Sequence, residues 1–263
     1  MSAAPAADHV LRMLALLSRH PEPVSAGLVA ATLRLPRSTT YRLLSVLVDH
    51  GFVHYLPDER RYGLSVVAYE LGSAYARQAP LQRIARPIVR QLVDRMKQNA
   101  HLAVLHGRDV LYVIEERAAG RPILITDVGV RLPAVLTASG LAMLARLPAN
   151  QVRALFPNAA AFIETEHGPA TPSALRQLLS DVRNRGYATE AGTVTSGLSS
   201  FAQAVLDHAG HPTAAVAVTF LAKEMDHRTE ASLAEAVTGA ALQLSRRLGF
   251  RETSAAAASH IGR

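Results

Sequence analysis

A chain of 263 residues with 49% hydrophobic and 19% charged side chains can bury one large or two medium cores, which excludes a disordered or fibrous protein. Without cysteine it forms no disulfide or thiolate zinc site. With no apolar run near the ~20 residues of a membrane helix and no basic-then-apolar leader in Met1 to Asp8, it is expected to be unexported and cytoplasmic.

The formal net charge of +7, with arginine far outnumbering lysine, favours a polyanionic partner; charge alone does not establish one. Val10, Leu14 and Leu17 recur at helical spacing between Asp8 and His20, and Pro21 and Pro23 end that helix. Ser25 is a fit N-cap for a short, alanine-rich second helix ending near Leu33, after which Leu35-Pro36 forces an extended residue and a turn. A third helix from Arg37 or Ser38 to Asp49 buries Thr40, Leu43, Leu44 and Leu47 and stops at Gly51. Phe52 to Leu56 reads as a strand, Pro57-Asp58-Glu59-Arg60 as a turn and Arg61 to Leu64 as the returning strand. Ser65 to Gln78 is again helical, and Leu81 to Gln98 reads as an amphipathic helix interrupted at Pro87. A helical linker placed here would hold two domains at a defined geometry.

Beyond the linker, strands alternate with helices. His101 to His106, Val110 to Glu116 and Ile123 to Val128 are strand-like, the first two joined across Gly107-Arg108-Asp109. Leu136 to Leu147, Gln151 to Phe156 and Pro172 to Arg185 are predicted helices. Ser199 to Leu206 and Thr213 to Leu221 form a second hairpin, and Glu230 to Leu248 is a last helix closed by Gly249. Helices flanking an antiparallel sheet give an α+β, sensor-like domain, and the alanine-rich tail after Phe250 is expected to be disordered.

Three short helices, the third polar on one face and followed by a basic-tipped hairpin, have the shape that reads DNA: a helix for the major groove and a β wing for an adjacent groove or the backbone. The candidate contacts are Ser25, Arg37, Ser38, Thr39, Tyr41 and Arg42 around the third helix, with Arg60 and Arg61 at the wing. The plain alternative is that these are solvated polar residues of a small helical domain.

The run Leu35-Pro36-Arg37-Ser38-Thr39-Thr40-Tyr41-Arg42-Leu43-Leu44, with Asp49-His50-Gly51-Phe52-Val53 and Arg61-Tyr62-Gly63-Leu64, resembles the DNA-binding domain of IclR-type bacterial regulators. In the second half Leu132-Pro133, Thr137-Ala138-Ser139-Gly140, Met143-Leu144-Ala145, Arg183 to Ala188 and Gly197 to Asp207 continue the resemblance in order. It implies a winged helix-turn-helix domain (1–65), a linker helix (66–79), a GAF-like effector-binding domain (80–250) and a tail (251–263). The implied protein is a homodimer or tetramer that binds operator DNA, more often as a repressor than an activator, and responds to a small organic acid.

Position by position, the resemblance places an effector pocket on Leu132, Ala138, Ser139, Glu190, Ser200, Ala217 and Thr219. A helix start at Ser139 with free amides, and hydroxyls on Ser139, Ser200 and Thr219, would suit a carboxylate. The alternative is that Ser139 is only a helix N-cap and Thr219 only a strand residue. Thr193, Gln203-Ala204 and Ala217 depart from common family residues, which leaves both aromatic and small aliphatic keto acids open as effectors.

A hydrolase using a serine of the second domain is the competing reading, but no Gly-x-Ser-x-Gly elbow is present. His208 and His211 have the spacing of half a metal site yet flank turn residues, and no P-loop or dinucleotide motif occurs, so neither a metal nor a cofactor is expected. Glu115-Glu116-Arg117 reads as an exposed charge cluster.

Overall fold

The computed structural model describes residues 4–78, 80–122, 124, 126–163, 165, 168–224 and 226–251. The chain divides into two compact units, Met1–Ala79 and Pro80–Arg263. The tail expected to be disordered lies, apart from Arg251, outside the described residues.

The first unit runs α1 (Pro5–Leu17), β1 (Val24–Ser25), α2 (Ala26–Leu33), α3 (Arg37–Asp49), β2 (Val53–Leu56), β3 (Arg61–Leu64) and α4 (Val66–Gln78). Helix α1 starts three residues earlier than the apolar pattern indicates, because Pro5 sits in the first turn, where its missing N–H removes no bond. Ser25 caps α2, its Oγ accepting from the Leu28 amide at 3.2 Å. The chain then turns through Arg34 in the left-handed region (φ 55°), so that the Leu35 amide reaches Ala30 O at 2.9 Å. Met13, Leu17, Val29, Leu44, Leu47 and Val53 form the core under these helices. The pairing of β1 with β3 (Val24↔Tyr62, Ser25↔Arg61) adds a third strand to the hairpin, in the order β1-β3-β2.

The second unit runs α5 (Pro80–Met96), β4 (Asn99–His106), β5 (Asp109–Glu116), β6 (Arg131–Pro133), α6 (Ala138–Arg146), α7 (Ala149–Leu155), α8 (Pro172–Arg185), β7 (Ala188–Ala191), β8 (Leu198–Leu206), β9 (Pro212–Leu221) and α9 (His227–Arg247). Its strands form one antiparallel sheet ordered β6-β5-β4-β9-β8-β7. Helices α5 and α9 cover one face, over Leu102, Phe201, Val205, Val216 and Val218. Helices α6 to α8 cover the other, where Ala202, Ala204, Ala215 and Ala217 are small enough to let α6 sit close. Because the sheet is covered on both faces, the run Ala214 to Val218 is apolar without alternation.

Three expectations are corrected. Helix α5 passes through Pro87 without a break: Pro87 and Arg83 lie on its exposed side, where water can meet the carbonyl that loses its N–H partner. No described residue between Ile123 and Val128 lies in a strand. The outer edge of β5 is already used by the following segment, through Tyr112 N to Val130 O (3.1 Å), Gly129 N to Tyr112 O (2.9 Å) and the β6 pairing. Finally, Glu115 and Glu116 are not an exposed cluster. Their side chains are only 3% and 16% exposed, Glu116 bridging Arg86 (2.6 Å) and Arg90 (3.1 Å) on α5 and Glu115 holding Arg117 through both oxygens.

Candidate functional site

In the first unit, α3 has Pro36 at its N-cap and no side chain capping it. Its first intrahelical bond runs from Thr40 N to Pro36 O at 3.0 Å, so the amides of Arg37, Ser38 and Thr39 precede the hydrogen-bonded repeat and carry the positive end of the helix dipole. Thr40 is buried, whereas Arg37, Ser38, Tyr41 and Arg42 are exposed and Thr39 is half-buried, so the polar residues share one outward face. Tyr41, 56% exposed, stands on that face with them. At the hairpin, Arg60 sits in the turn with φ 53°, and Arg61 begins β3 and donates to Pro23 O at 3.1 Å, beside Glu22 at 3.9 Å. Among the described residues Arg60 is thus a wing-tip cation without an ion-pair partner, and Arg61 a tethered one. Ser25 is exposed, but its hydroxyl is occupied as the α2 cap.

In the second unit, a cavity with about 390 Å³ of empty space, part of it open to solvent, lies between the sheet and the start of α6. Six of the seven positions named for a pocket, Ala138, Ser139, Glu190, Ser200, Ala217 and Thr219, line it together. Leu132 does not: it pairs with Val110 across β5 and β6 and packs into the core under α6 to α8. Sequence reasoning missed His101, Tyr112, Thr126, Thr137 and Thr195 on the same wall. The placement of His101 and Tyr112 depends on strand register, for which the sequence carries no direct signal, and Thr126, Thr137 and Thr195 come from connecting segments.

Thr137, not Ser139, caps α6, its Oγ1 accepting from Gly140 N at 3.0 Å. The Ser139 hydroxyl is therefore left for the cavity, where it lies beside Tyr112. Glu190 Oε1 accepts from the amides of Thr193 (2.5 Å) and Val194 (3.1 Å). Burial pushes the Glu190 carboxyl above the usual range despite those bonds and the Ser200 hydroxyl. Burial alone pulls His101 down to about 4, which keeps its imidazole neutral. Burial and the neighbouring Glu190 push the Tyr112 phenol up. The described lining contains no lysine or arginine. An acidic guest would be held by hydroxyls, helix-start amides and a neutral imidazole, with no salt bridge.

A sequence model described as the IclR helix-turn-helix domain matches residues 6–57, and one described as bacterial transcriptional regulator IclR C-terminal matches residues 73–246. The HTH-type transcriptional regulator XynR of Escherichia coli K12 is 26% identical over 92% of this chain and 96% of its own length. The crystal structure of an IclR transcriptional regulator from Alicyclobacillus acidocaldarius superposes with a TM-score of 0.79 at 23% identity, covering 93% of this chain and 99% of that one. An IclR homologue from Microbacterium hydrocarbonoxydans, solved as a complex with 4-hydroxybenzoate, superposes with a TM-score of 0.73 at 22% identity over 92% of this chain and 98% of that one.

Proposed function

This chain belongs to the IclR family of bacterial transcriptional regulators, and we propose that it represses a catabolic operon by holding operator DNA until a small organic acid enters its second unit. It is a DNA-binding regulator and not an enzyme. The geometry gives no support to a hydrolase: among the described residues no histidine ring hydrogen-bonds Ser139, Ser199 or Ser200 directly, His101 Nε2 lying 3.1 Å from Thr219 Oγ1.

Helix α3 enters the major groove with Arg37, Ser38, Thr39, Tyr41 and Arg42, while Arg60 takes a phosphate at the wing. Ser25 and Arg61 contribute through the α2 start and the β3 start. The observation that carries the effector half is the cavity, where the hydroxyl-bearing Ser139 of α6, Ser200 of β8 and Thr219 of β9 line one space at the start of α6. The 4-hydroxybenzoate held by a solved relative carries a carboxylate and a phenol, groups that the hydroxyls and the helix start lining this space can hydrogen-bond.

The protein works as a homodimer that can pair further, since one recognition helix makes too few base contacts for operator specificity. Coupling runs through the segment of α4 and α5. The acid shifts operator affinity by no more than the difference between its own affinities for the DNA-competent and DNA-incompetent arrangements.

A thermal-shift screen of organic acids including 4-hydroxybenzoate, followed by anisotropy titration of the chain's own promoter with and without the hit, tests this reading. A stabilising acid that weakens promoter binding is expected. Equal affinity for the promoter and an unrelated duplex across a salt series would overturn the DNA half, and no stabilising acid the effector half.

A further inference from the structure

Glu190, Ser200 and Thr219 stand directly opposite one another on β7, β8 and β9, so the pleat gathers their side chains in one row on the cavity face. Ser200 Oγ is 2.8 Å from Thr219 Oγ1, which is 3.1 Å from His101 Nε2 on β4. At the other end Ser200 faces Glu190 directly across the β7–β8 pair, on the side of the sheet where a hydroxyl can donate to a carboxylate. Both ends of the row are buried, His101 at 2% exposure and Glu190 at 8%. His101 Nδ1 has no hydrogen-bond partner among the described residues, and neither has Thr126 Oγ1 in the same cavity.

Hydroxyls in series carry a direction, because each has one proton to give. An ionised Glu190 accepts from Ser200, so Ser200 must accept from Thr219 and Thr219 from His101 Nε2–H, which leaves Nδ1 a bare lone pair. A protonated Glu190 donates to Ser200 and reverses every bond, which leaves Nδ1 carrying the hydrogen. We propose that this row is a proton-ordered relay, in which an effector carboxylate is accepted at His101 Nδ1 only when Glu190 carries a proton, so that effector and proton bind together. The relay rests on the effector reading above and adds its regulation.

The proton balance closes. An acid arriving protonated gives its proton to Nδ1, the Nε2 proton passes to Thr219, that of Thr219 to Ser200, and that of Ser200 to Glu190. The last proton lands on the Glu190 oxygen not already held by the Thr193 and Val194 amides. Each hop makes one N–H or O–H for the one it breaks. The net change moves a single proton from acid to Glu190 and turns the repelling lone pair into a donor facing the carboxylate. Neutral imidazole is the form burial favours at His101, so the two tautomers are the states that matter. Of the elements around Glu190, β4 brings His101 and β5 brings Tyr112 as titratable groups; the described cavity residues of α6, of the 192–197 loop and of the segment holding Leu124 and Thr126 bring none.

The test uses the full chain labelled with 15N-histidine, the His101 signals being identified by their loss in His101→Gln. The expected result is an Nε2–H tautomer near pH 8 that swaps to Nδ1–H toward pH 5 without becoming imidazolium. Glu190→Gln should lock Nδ1–H, since its amide oxygen takes the two backbone N–H groups and its NH2 faces Ser200. The near-isosteric Thr219→Val should uncouple the tautomer from pH altogether. An invariant wild-type tautomer, or a swap that survives in both variants, overturns the relay.

Calorimetry with 4-hydroxybenzoate in buffers of different ionisation enthalpy adds a second readout. Uptake of about one proton at pH 8, with affinity falling about tenfold per pH unit, is expected in the wild type and is lost in Glu190→Gln. Binding without proton uptake overturns the relay. Failure of 4-hydroxybenzoate to bind counts against the effector reading, and the tautomer result still decides the relay.

Discussion

Burial holds His101 at about 4, whereas a histidine in the unfolded chain titrates at 6.5, so between those values the unfolded state binds a proton that the folded state does not. A depressed pKa of this kind contributes stability that is complete above 6.5 and is lost as the pH falls toward 4. At about 1.4 kcal/mol per pH unit, roughly 2 kcal/mol should be gone near pH 5. Urea unfolding of wild type and His101→Gln at pH 7.5 and 5 should show the difference between the two proteins shrinking by that amount; a constant difference would mean that His101 titrates normally. Arg60 poses a different test, because its φ of 53° places a side chain in the left-handed region. Arg60→Gly should raise the stability of the first unit by roughly 0.5–1 kcal/mol while making the salt dependence of DNA binding shallower by about 0.9. An arginine kept there for packing would show lost stability and an unchanged slope.

At the scale of elements, α6 is the piece the cavity depends on, since it is buried from Ala138 to Ala145 and its first turn forms part of the cavity lining. A Cβ added at Gly140 would lie 2.1 Å from Ala134 O, a backbone atom that cannot swing aside. Gly140→Ala should therefore cost the second unit about 3 kcal/mol, read as a lowered melting midpoint with the first unit's transition unmoved. An unchanged midpoint would show that the 3-10 turn Ala134–Leu136 yields. Helix α3 is legible in full, because four buried positions at i, i+3, i+4 and i+7 and the stop at Gly51 each act within a few residues. The strands β1, β6 and β7 were not legible, being two to four residues long and defined by their partners. The error at Ile123 to Val128 has the same origin: an apolar run marks burial, but the edge of β5 decides which segment pairs. Six cavity residues came through family resemblance. His101 and Tyr112 needed the register of β4 against β9 and β5, which nothing local encodes.

Over the whole molecule, the number of DNA-binding heads engaged at once is readable from salt. Each head offers Arg37, Arg42 and Arg60 as exposed cations, with Arg61 half-committed to Pro23 and Glu22. Each phosphate neutralised contributes about −0.9 to the slope of log K against log salt, so a single head should give roughly −3 and two heads roughly −6. A dimer binding a two-fold operator through both heads is expected to show the steeper value on its promoter. Saturating effector then separates two mechanisms that equilibrium affinity alone would merge. If the acid alters the placement of the heads so that both no longer fit their half-sites together, the slope should fall toward the one-headed value along with the affinity. If it loosens both heads equally, the affinity should fall at a slope that stays near −6, and a ligand-driven change in head placement would have to be abandoned.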